Sequence, residues 1–367
     1  NNVTYTAPNN DLDGNPRPNP AGTLPDMGAY ESDKGVDPNY AGPVWYVDGP
    51  AGLPYGNGGP GAPFTTIQAG IDASSSGDTV SVKAGTYVEN INYMGRDIAV
   101  IGEDRETTII DGDSSGVVVR ISDLTGVSML KNFTIQNGYT DQSVDIQNGG
   151  GISVSNTSPT LQNLIVKNSS AFYGGGIFVG NSSSKLNNIK VFDNASQSHG
   201  GGIYLDYTNS VSTNIECYNN TAGGHAAGIM INNNYQDTSP KIIGGSFHDN
   251  QAIYGVGGVF TLNCAPSFYQ SNIVNNQGGW NDNENAGGLF LFNADVQLVS
   301  CIVSGNSSPQ LEFDSTEPQS VESLSINYSL IQNGQDSIVT NGNGTVSWGT
   351  GNIDVEPMFV DTANGNY

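Results

Sequence analysis

Two aspartates stand directly before an asparagine in similar contexts: Asp193 in VFDN and Asp249 in FHDN, with His248 beside the second. Paired carboxylates are the equipment of glycoside hydrolysis. An inverting enzyme holds them about 6.5–9.5 Å apart, so that one protonates the leaving oxygen while the other activates water. Aspartate is also an ordinary turn former, and Lys167, Asn219 and Asn275 recur at equivalent points of the chain. The same pattern therefore fits a row of solvated turn residues. A second chemistry is offered by Asp11 and Asp13 in DLDGN, and by Asp282 and Glu284 in DNEN. These short spans supply several oxygens and could hold calcium, although neither has an EF-hand's spacing. No other cofactor is implied: there is no Ser/His/Asp order, phosphate-binding glycine loop or His-rich metal spacing. His199 and His225 read as exposed turn residues. Cys217, Cys264 and Cys301 are too few and too far apart for a disulfide framework or zinc cluster, and Cys217 and Cys301 read as small apolar core residues.

The elements that must position these groups come from two repeats running in step. One asparagine closes each of a series of short apolar strands: Asn137, Asn168, Asn194, Asn220, Asn250, Asn276, Asn306 and Asn333, spaced 31, 26, 26, 30, 26, 30 and 27. Small residues precede an aliphatic one at Ile152, Ile177, Ile203, Ile229, Val259 and Leu289, spaced 25, 26, 26, 30 and 30. Two residues further on stand Val154, Val179, Leu205, Ile231, Thr261 and Leu291, which is strand alternation. A period near 26 with β-branched strands and Gly/Asn/Ser turns matches one coil of a parallel β-helix. It lacks the leucine consensus of leucine-rich repeats, and a propeller blade is longer. The fold expected is all-β: a right-handed parallel β-helix solenoid of about ten coils, with an N-terminal capping helix in the segment 64–101.

Coils stacked about 4.8 Å apart place equivalent residues above one another. The eight asparagines are expected to form a buried ladder that satisfies the polar groups of a bend. Glycine triplets permit the positive φ and close approach of another corner. On the far side of the corner aliphatic residues lie Ser153, Phe178, Tyr204, Met230, Phe260 and Phe290. Alternation turns this series outward, and an exposed aromatic strip could pack on sugar rings or on a neighbouring subunit. Asp193 and Asp249 would lie two coils apart, about 9.6 Å between backbones.

Composition narrows the partners. The chain has 367 residues and a net charge of −24, which argues against nucleic acid and anionic membrane surfaces. No run approaches the roughly 18 apolar residues of a transmembrane segment. Glycine (49) and asparagine (44) together exceed a quarter of the chain, which disfavours a helical protein. The chain begins at Asn1 without an initiator methionine or signal peptide, as expected of a mature product or a piece of something longer.

The segments Phe64-Thr65-Thr66-Ile67-Gln68, Gly77-Asp78-Thr79-Val80, Gly85 to Ile91 (GTYVENI) and Thr108 to Gly112 (TIIDG) resemble the entry of secreted bacterial proteins with pectin-lyase-like right-handed β-helices. The GGGI series is similar to their coils and, more loosely, to those of polymorphic outer-membrane autotransporters. This resemblance implies a secreted or cell-surface, extracellular protein. The group includes lyases, hydrolases, adhesins and structural proteins. Uronate lyases among them need Arg or Lys at the substrate carboxylate. Here arginine occurs only at Arg17, Arg96, Arg105 and Arg120, with no basic pair at one-coil spacing beside clustered carboxylates.

Residues 11–18 and 25–31 resemble the closing segment of such a β-helix, yet come first. The segment 351–361 resembles the stretch before a closing segment. The organisation expected is therefore residues 1–31 from the end of a preceding unit, a Gly/Pro-rich linker at 32–63, the solenoid at 64–350, and residues 351–367 leading to a missing closing region. The unit would belong to a tandem array, or its N-terminal segment would dock on the C-terminal end of another copy; either makes a filament or stalk. The function expected is an extracellular structural or adhesive unit, an adhesin or filament element with a face open to polysaccharide. The alternative is an inverting glycoside hydrolase, ahead of a uronate lyase.

Overall fold

The computed structural model describes residues 9–10, 17, 40–49, 52, 56–141, 148–233, 239–279, 286–315 and 322–359. They wind into a solenoid in which every strand pairing between named strands is parallel. Ten short strands, from Ile91–Asn92 through Ile177–Ser182 to Ile338–Val339, make one sheet, a succession of nine turns. Crossover connections between parallel strands give the solenoid its right-handed sense. A second sheet of 18 strands wraps two faces of the coil, and four short strands, including Ser170–Tyr173 and Ala195–His199, make a third.

The 18-stranded sheet covers two faces because its strands bend at one residue. Asn132, Asn163, Asn188 and Asn214 sit mid-strand with φ of 64°, 54°, 54° and 53°. Asparagine tolerates this left-handed conformation better than other residues with a Cβ. Their amides also chain from coil to coil: Asn188 donates to Asn163 at 2.9 Å and Asn163 to Asn132 at 2.8 Å. This outer ladder accounts for asparagines that the sequence repeat did not use.

The core runs the length of the solenoid, with Val166, Val191, Cys217, Phe247, Ile273 and Val303 stacked and fully buried or nearly so. The helix Ile67–Ala73 covers the N-terminal end, burying Ile67 and Ile71; Thr66 caps it, and the Glu89 carboxylate accepts from the Ile67 and Gln68 amides. The solenoid begins earlier than the sequence suggested. Val44–Val47 lies inside the stretch 32–63 and pairs with Thr79–Val82, burying Trp45 and Val47. The apolar run VWYV is short enough to be masked by its Gly- and Pro-rich flanks.

The buried asparagine ladder is continuous over five coils. Asn194, Asn220, Asn250, Asn276 and Asn306 are 0–7% exposed. Each of the first four donates through Nδ2 to the next Oδ1 at 2.9–3.1 Å, and that same Oδ1 takes the backbone N–H. At one end Ser169 continues the column, donating its N–H to Asn194; at the other Gln310 accepts from Asn306. Asn137, Asn168 and Asn333 are not in this ladder, contrary to expectation. They occupy the preceding position, with φ of 58°, 52° and 66°, in register with Asp193, Asn219, Asp249 and Asn275. Asn137 instead bonds Asp111, and the Asn333 N–H donates to Asp354. A left-handed residue and a ladder residue are adjacent at every such bend, and asparagine suits both.

The two repeats meet in space. A Cβ on Gly176, Gly202, Gly228, Gly258 or Gly288 would stand 2.9–3.1 Å from the amide nitrogen of a ladder asparagine. At Gly202 it would also lie 2.5 Å from Cys217 Sγ, so the third small residue of each corner must be glycine for the ladder to close.

Candidate functional site

The strands Lys185–Phe192, Val211–Tyr218 and Ser246–His248 lie side by side. Their inward residues Val191, Cys217 and Phe247 are buried in the core, so the alternate positions face outward. Two outer columns result: Lys190, Glu216 and Ser246, then Phe192, Tyr218 and His248. Phe192 and Tyr218 stack at 4.9 Å and 12°, and Tyr218 and His248 at 5.0 Å and 2°. The next residue of each coil, Asp193, Asn219, Asp249 or Asn275, takes φ of 51–54° and turns the chain into the ladder.

His248 and Asp249 are brought together, with Nδ1 2.8 Å from Asp249 Oδ2. His248 is 2% exposed, and its Nε2 lies 4.0 Å from Glu216 Oε1. Glu216 in turn pairs with Lys190 at 2.6 Å. Asn275 donates to the other Asp249 oxygen. Burial, then the Glu216 and Asp193 carboxylates, push the Tyr218 hydroxyl up to about 12. Asp193 is exposed and sits in the same column as Asp249 but two coils away, with Asn219 between them. Glu216, Lys190, Tyr218 and Phe192 went unnoticed in the sequence. Their signal was available: they stand two and four residues before ladder asparagines.

Beside Asp249 a groove of about 430 Å³ crosses three coils. Its wall is formed by Asp249, Asn275 and Gly305, and its opposite side by Gln251, Gln277 and Ser307, with ladder asparagines as the floor. A Cβ at Gly305 would meet nothing nearer than 3.6 Å, so the groove stays open there. Carboxylate, amide and hydroxyl groups supply both donors and acceptors. Among the described residues that line it, Asp249 is the one ionisable side chain. The groove can bind hydroxyl-rich molecules, whereas inverting hydrolysis needs a second carboxylate across the bond to be cleaved.

The outward aromatic series is buried. Ser153, Phe178, Tyr204, Met230, Phe260 and Phe290 are 0–8% exposed and are not the open strip that alternation implied. Phe178, Tyr204, Met230, Phe260 and Phe290 face away from the coil interior and form a separate apolar cluster with Ala226, Val256 and Ala286. Tyr173 lies 5.4 Å from Tyr204, and His225 lies 5.1 Å from Phe260. His199 and His225, expected as exposed turn residues, are half-buried and stack on each other at 5.0 Å. Beside this cluster Asp206 accepts from Asn232 at 2.8 Å, and burial raises its carboxyl to about 6.

The calcium candidates Asp11, Asp13, Asp282 and Glu284 lie outside the described residues. Among the described residues no group of three or more His, Cys, Asp or Glu side chains is placed to hold a metal. Arg96 and Arg105 pair with Asp72 and Glu106, far along the solenoid from the groove. Among the described residues no helix is long and apolar enough to cross a membrane.

No protein-family model matches the chain, and no curated protein matches it. Solved structures do. The pectate lyase Pel9A is 15% identical with a TM-score of 0.49, covering 90% of this chain and 85% of its own. The A-module of the Azotobacter vinelandii mannuronan C-5 epimerase AlgE6 is 16% identical with a TM-score of 0.45, covering 80% and 95%. A pectin methylesterase from carrot is 11% identical with a TM-score of 0.44, covering 85% and 90%. These are proteins named for action on polysaccharide, and the likeness is one of architecture.

Proposed function

We propose that the protein is an extracellular, polysaccharide-binding β-helix that holds its ligand in the groove beside Asp249. The observation that carries this reading is the groove's lining, in which amide, hydroxyl and carboxylate groups from three successive coils converge, with one charge among the described residues. Planar amides and carboxylates bond paired hydroxyls, and the fixed coil spacing sets them in a row. The single carboxylate favours binding over hydrolysis.

The test is a glycan-binding panel, with Gln251→Ala/Gln277→Ala as the groove variant. Both side chains are exposed, so the variant should melt like the parent. Binding to one glycan class that falls about tenfold or more in the variant supports the reading. Unchanged binding, or no binding to any glycan, refutes it.

A second reading as an inverting hydrolase uses Asp193 and Asp249. It is favoured by their shared column and two-coil separation, about 9.6 Å. Release of reducing ends, abolished in both Asp193→Asn and Asp249→Asn, would select it.

End-to-end association with neighbouring copies or adjacent β-helix domains belongs to the same proposal. It is supported by the C-terminal end, where Ile353 is 50%, Val355 54% and Met358 97% exposed. Residues 1–31 are the proposed docking segment. Deleting them should leave a folded solenoid that no longer associates, as measured by sedimentation; unchanged association would count against the idea.

A further inference from the structure

We infer that the last rung of the solenoid, Thr345–Trp348, is a docking edge for residues 2–6 of a second copy, which add to it as one further parallel strand. The inference rests on the end-to-end association proposed above and adds the two surfaces and their register.

The two ends of the solenoid differ. The first strand, Val44–Val47, is bonded on both sides. It pairs with Thr79–Val82 on one. On the other, the Tyr46 N–H donates to Gly58, the Phe64 N–H to Tyr46 and the Asp48 N–H to Phe64. Trp45 is 8% and Val47 0% exposed, so that end is sealed. The last strand, Thr345–Trp348, pairs with Ser323–Asn327, and the Thr345 and Gly349 N–H groups donate to Glu322 and Ile326. Backbone groups alternate sides along a strand, so those of Val346 and Trp348 point to the other edge. Their side chains tell the same story. Leu324 and Ile326, one rung below, are 0% exposed, whereas Val346 and Trp348 are only half-buried against the core. Beyond Trp348 the chain passes to another face, where Ile353 pairs with Leu330. Paired strands of this sheet stand at least 20 residues apart, as Thr79 and Ala99 do. A self-paired strand over Trp348 would therefore need residue 368, outside residues 1–367.

Residues 2–6 carry the pattern of the absent rung. Asn2-Val3-Thr4-Tyr5-Thr6 is the one run of alternating β-formers without Gly or Pro in residues 1–31. Ser323-Leu324-Ser325-Ile326, Thr345-Val346-Ser347-Trp348 and Asn2-Val3-Thr4-Tyr5 alternate polar and apolar in the same phase. In that register Val3 lies on Val346, Tyr5 on Trp348, and Thr4 beside Ser347 on the outer face. Backbone bonds along the edge supply affinity, and the two apolar contacts fix the register. The sealed first strand prevents coil from stacking directly on coil, so the joint is made by the segment. The contact is heterologous and propagates as a filament.

The test uses the full chain. Thr4→Cys and Ser347→Cys are made in separate copies, mixed and oxidised. Paired positions on neighbouring strands lie about 4.8 Å apart, within disulfide range. The native Cys217, Cys264 and Cys301 are at most 2% exposed and do not compete. The expected product is a covalent pair of the two variants, formed at least about tenfold faster than with Thr6→Cys, whose diagonal distance of about 7–8 Å is too long. Both substitutions in one chain should give covalent multimers. In sedimentation, Val3→Asp/Tyr5→Asp should weaken association about tenfold or more, as expected for two lost apolar contacts, and the outward Thr4→Asp less than about threefold. Melting curves check that the solenoid is intact.

Faster cross-linking through Thr6→Cys, an intramolecular disulfide in the double variant, or association insensitive to Val3→Asp/Tyr5→Asp overturns the inference. If deleting residues 1–31 still abolishes association, the end-to-end contact stands and only its segment and register fail. Association that survives that deletion, or is absent from the parent chain, overturns both.

Discussion

Truncating one rung of the buried ladder, Asn250→Ala, has a cost that follows from its bonds. Asn250 Oδ1 accepts from the Asn220 backbone N–H and from Asn220 Nδ2, both at 3.0 Å. Its Nδ2 donates to the Cys217 carbonyl at 3.0 Å and to Asn276 Oδ1 at 2.9 Å. After truncation Asn220 Nδ2 keeps the Val191 carbonyl, and Asn276 Oδ1 keeps the residue 250 N–H. The Asn220 N–H, on a residue that is fully buried, loses its acceptor. One orphaned buried donor costs about 1–3 kcal/mol, and three further lost bonds about 1 kcal/mol each net, so about 4–6 kcal/mol is expected.

The matched control is Asn168→Gly. Asn168 is exposed, with φ of 52°, and glycine adopts that conformation freely, so its change should stay within about 0.5 kcal/mol. Urea unfolding followed by far-ultraviolet circular dichroism measures both. Hydrogen exchange should localise the loss to coils around residues 220 and 276, because a solenoid responds through nearest neighbours. If Asn250→Ala costs less than about 1 kcal/mol, or Asn168→Gly costs as much as Asn250→Ala, the ladder argument fails.

Phe260→Ala should cost about 3–5 kcal/mol, since Phe260 is 3% exposed and stacks on Phe290 at 5.0 Å; a near-neutral urea midpoint would mean the outer aromatic series is surface after all. Asp206 has a folded pKa of about 6 against an ordinary 3.8, so the folded state binds the proton more tightly than the unfolded state. Its penalty is therefore full above pH 6 and is relieved as pH falls from about 6 toward 3.8. The shift is worth at most about 3 kcal/mol, and about 1 kcal/mol once solvent screening of a partly exposed group is allowed for. Asp206→Asn should remove that pH-dependent increment from paired denaturation curves, and an unaltered pH profile would sink the assignment. Burial pushes the Cys217 thiol up, Cys264 to about 12 and Cys301 to about 11. A thiol reagent near pH 8 should leave all three unlabelled in the native protein and label them after denaturation; rapid native labelling would contradict the buried core positions.

The sequence by itself determined the architecture. Two series of residues recurring near every 26 positions require equivalent residues to stack, and stacking short β-branched strands yields parallel coils. The capping helix was legible because Ile67 and Ile71 share a helical face and Thr66 precedes them. His248 and Asp249 were visible as a chemical pair because they are neighbours in the chain.

Register was legible only in part. Asn168 was placed in the ladder because asparagine fills both the left-handed bend and the rung beside it. The glycine-corner spacing of 25 in that coil, against 26 from Asn168 to Asn194, carried the one-residue discrepancy. The outer aromatic series was read in the right direction but with the wrong exposure. Alternation within a strand states which way a side chain points relative to its own coil. It does not state what lies over it, and Tyr173 and His225 reach that series from the start of the small-residue corner that precedes it in the chain. The groove was decided by tertiary structure alone. Gln251, Gln277 and Ser307 are unremarkable turn residues in the sequence; only coil stacking sets them opposite Asp249, Asn275 and the open position at Gly305.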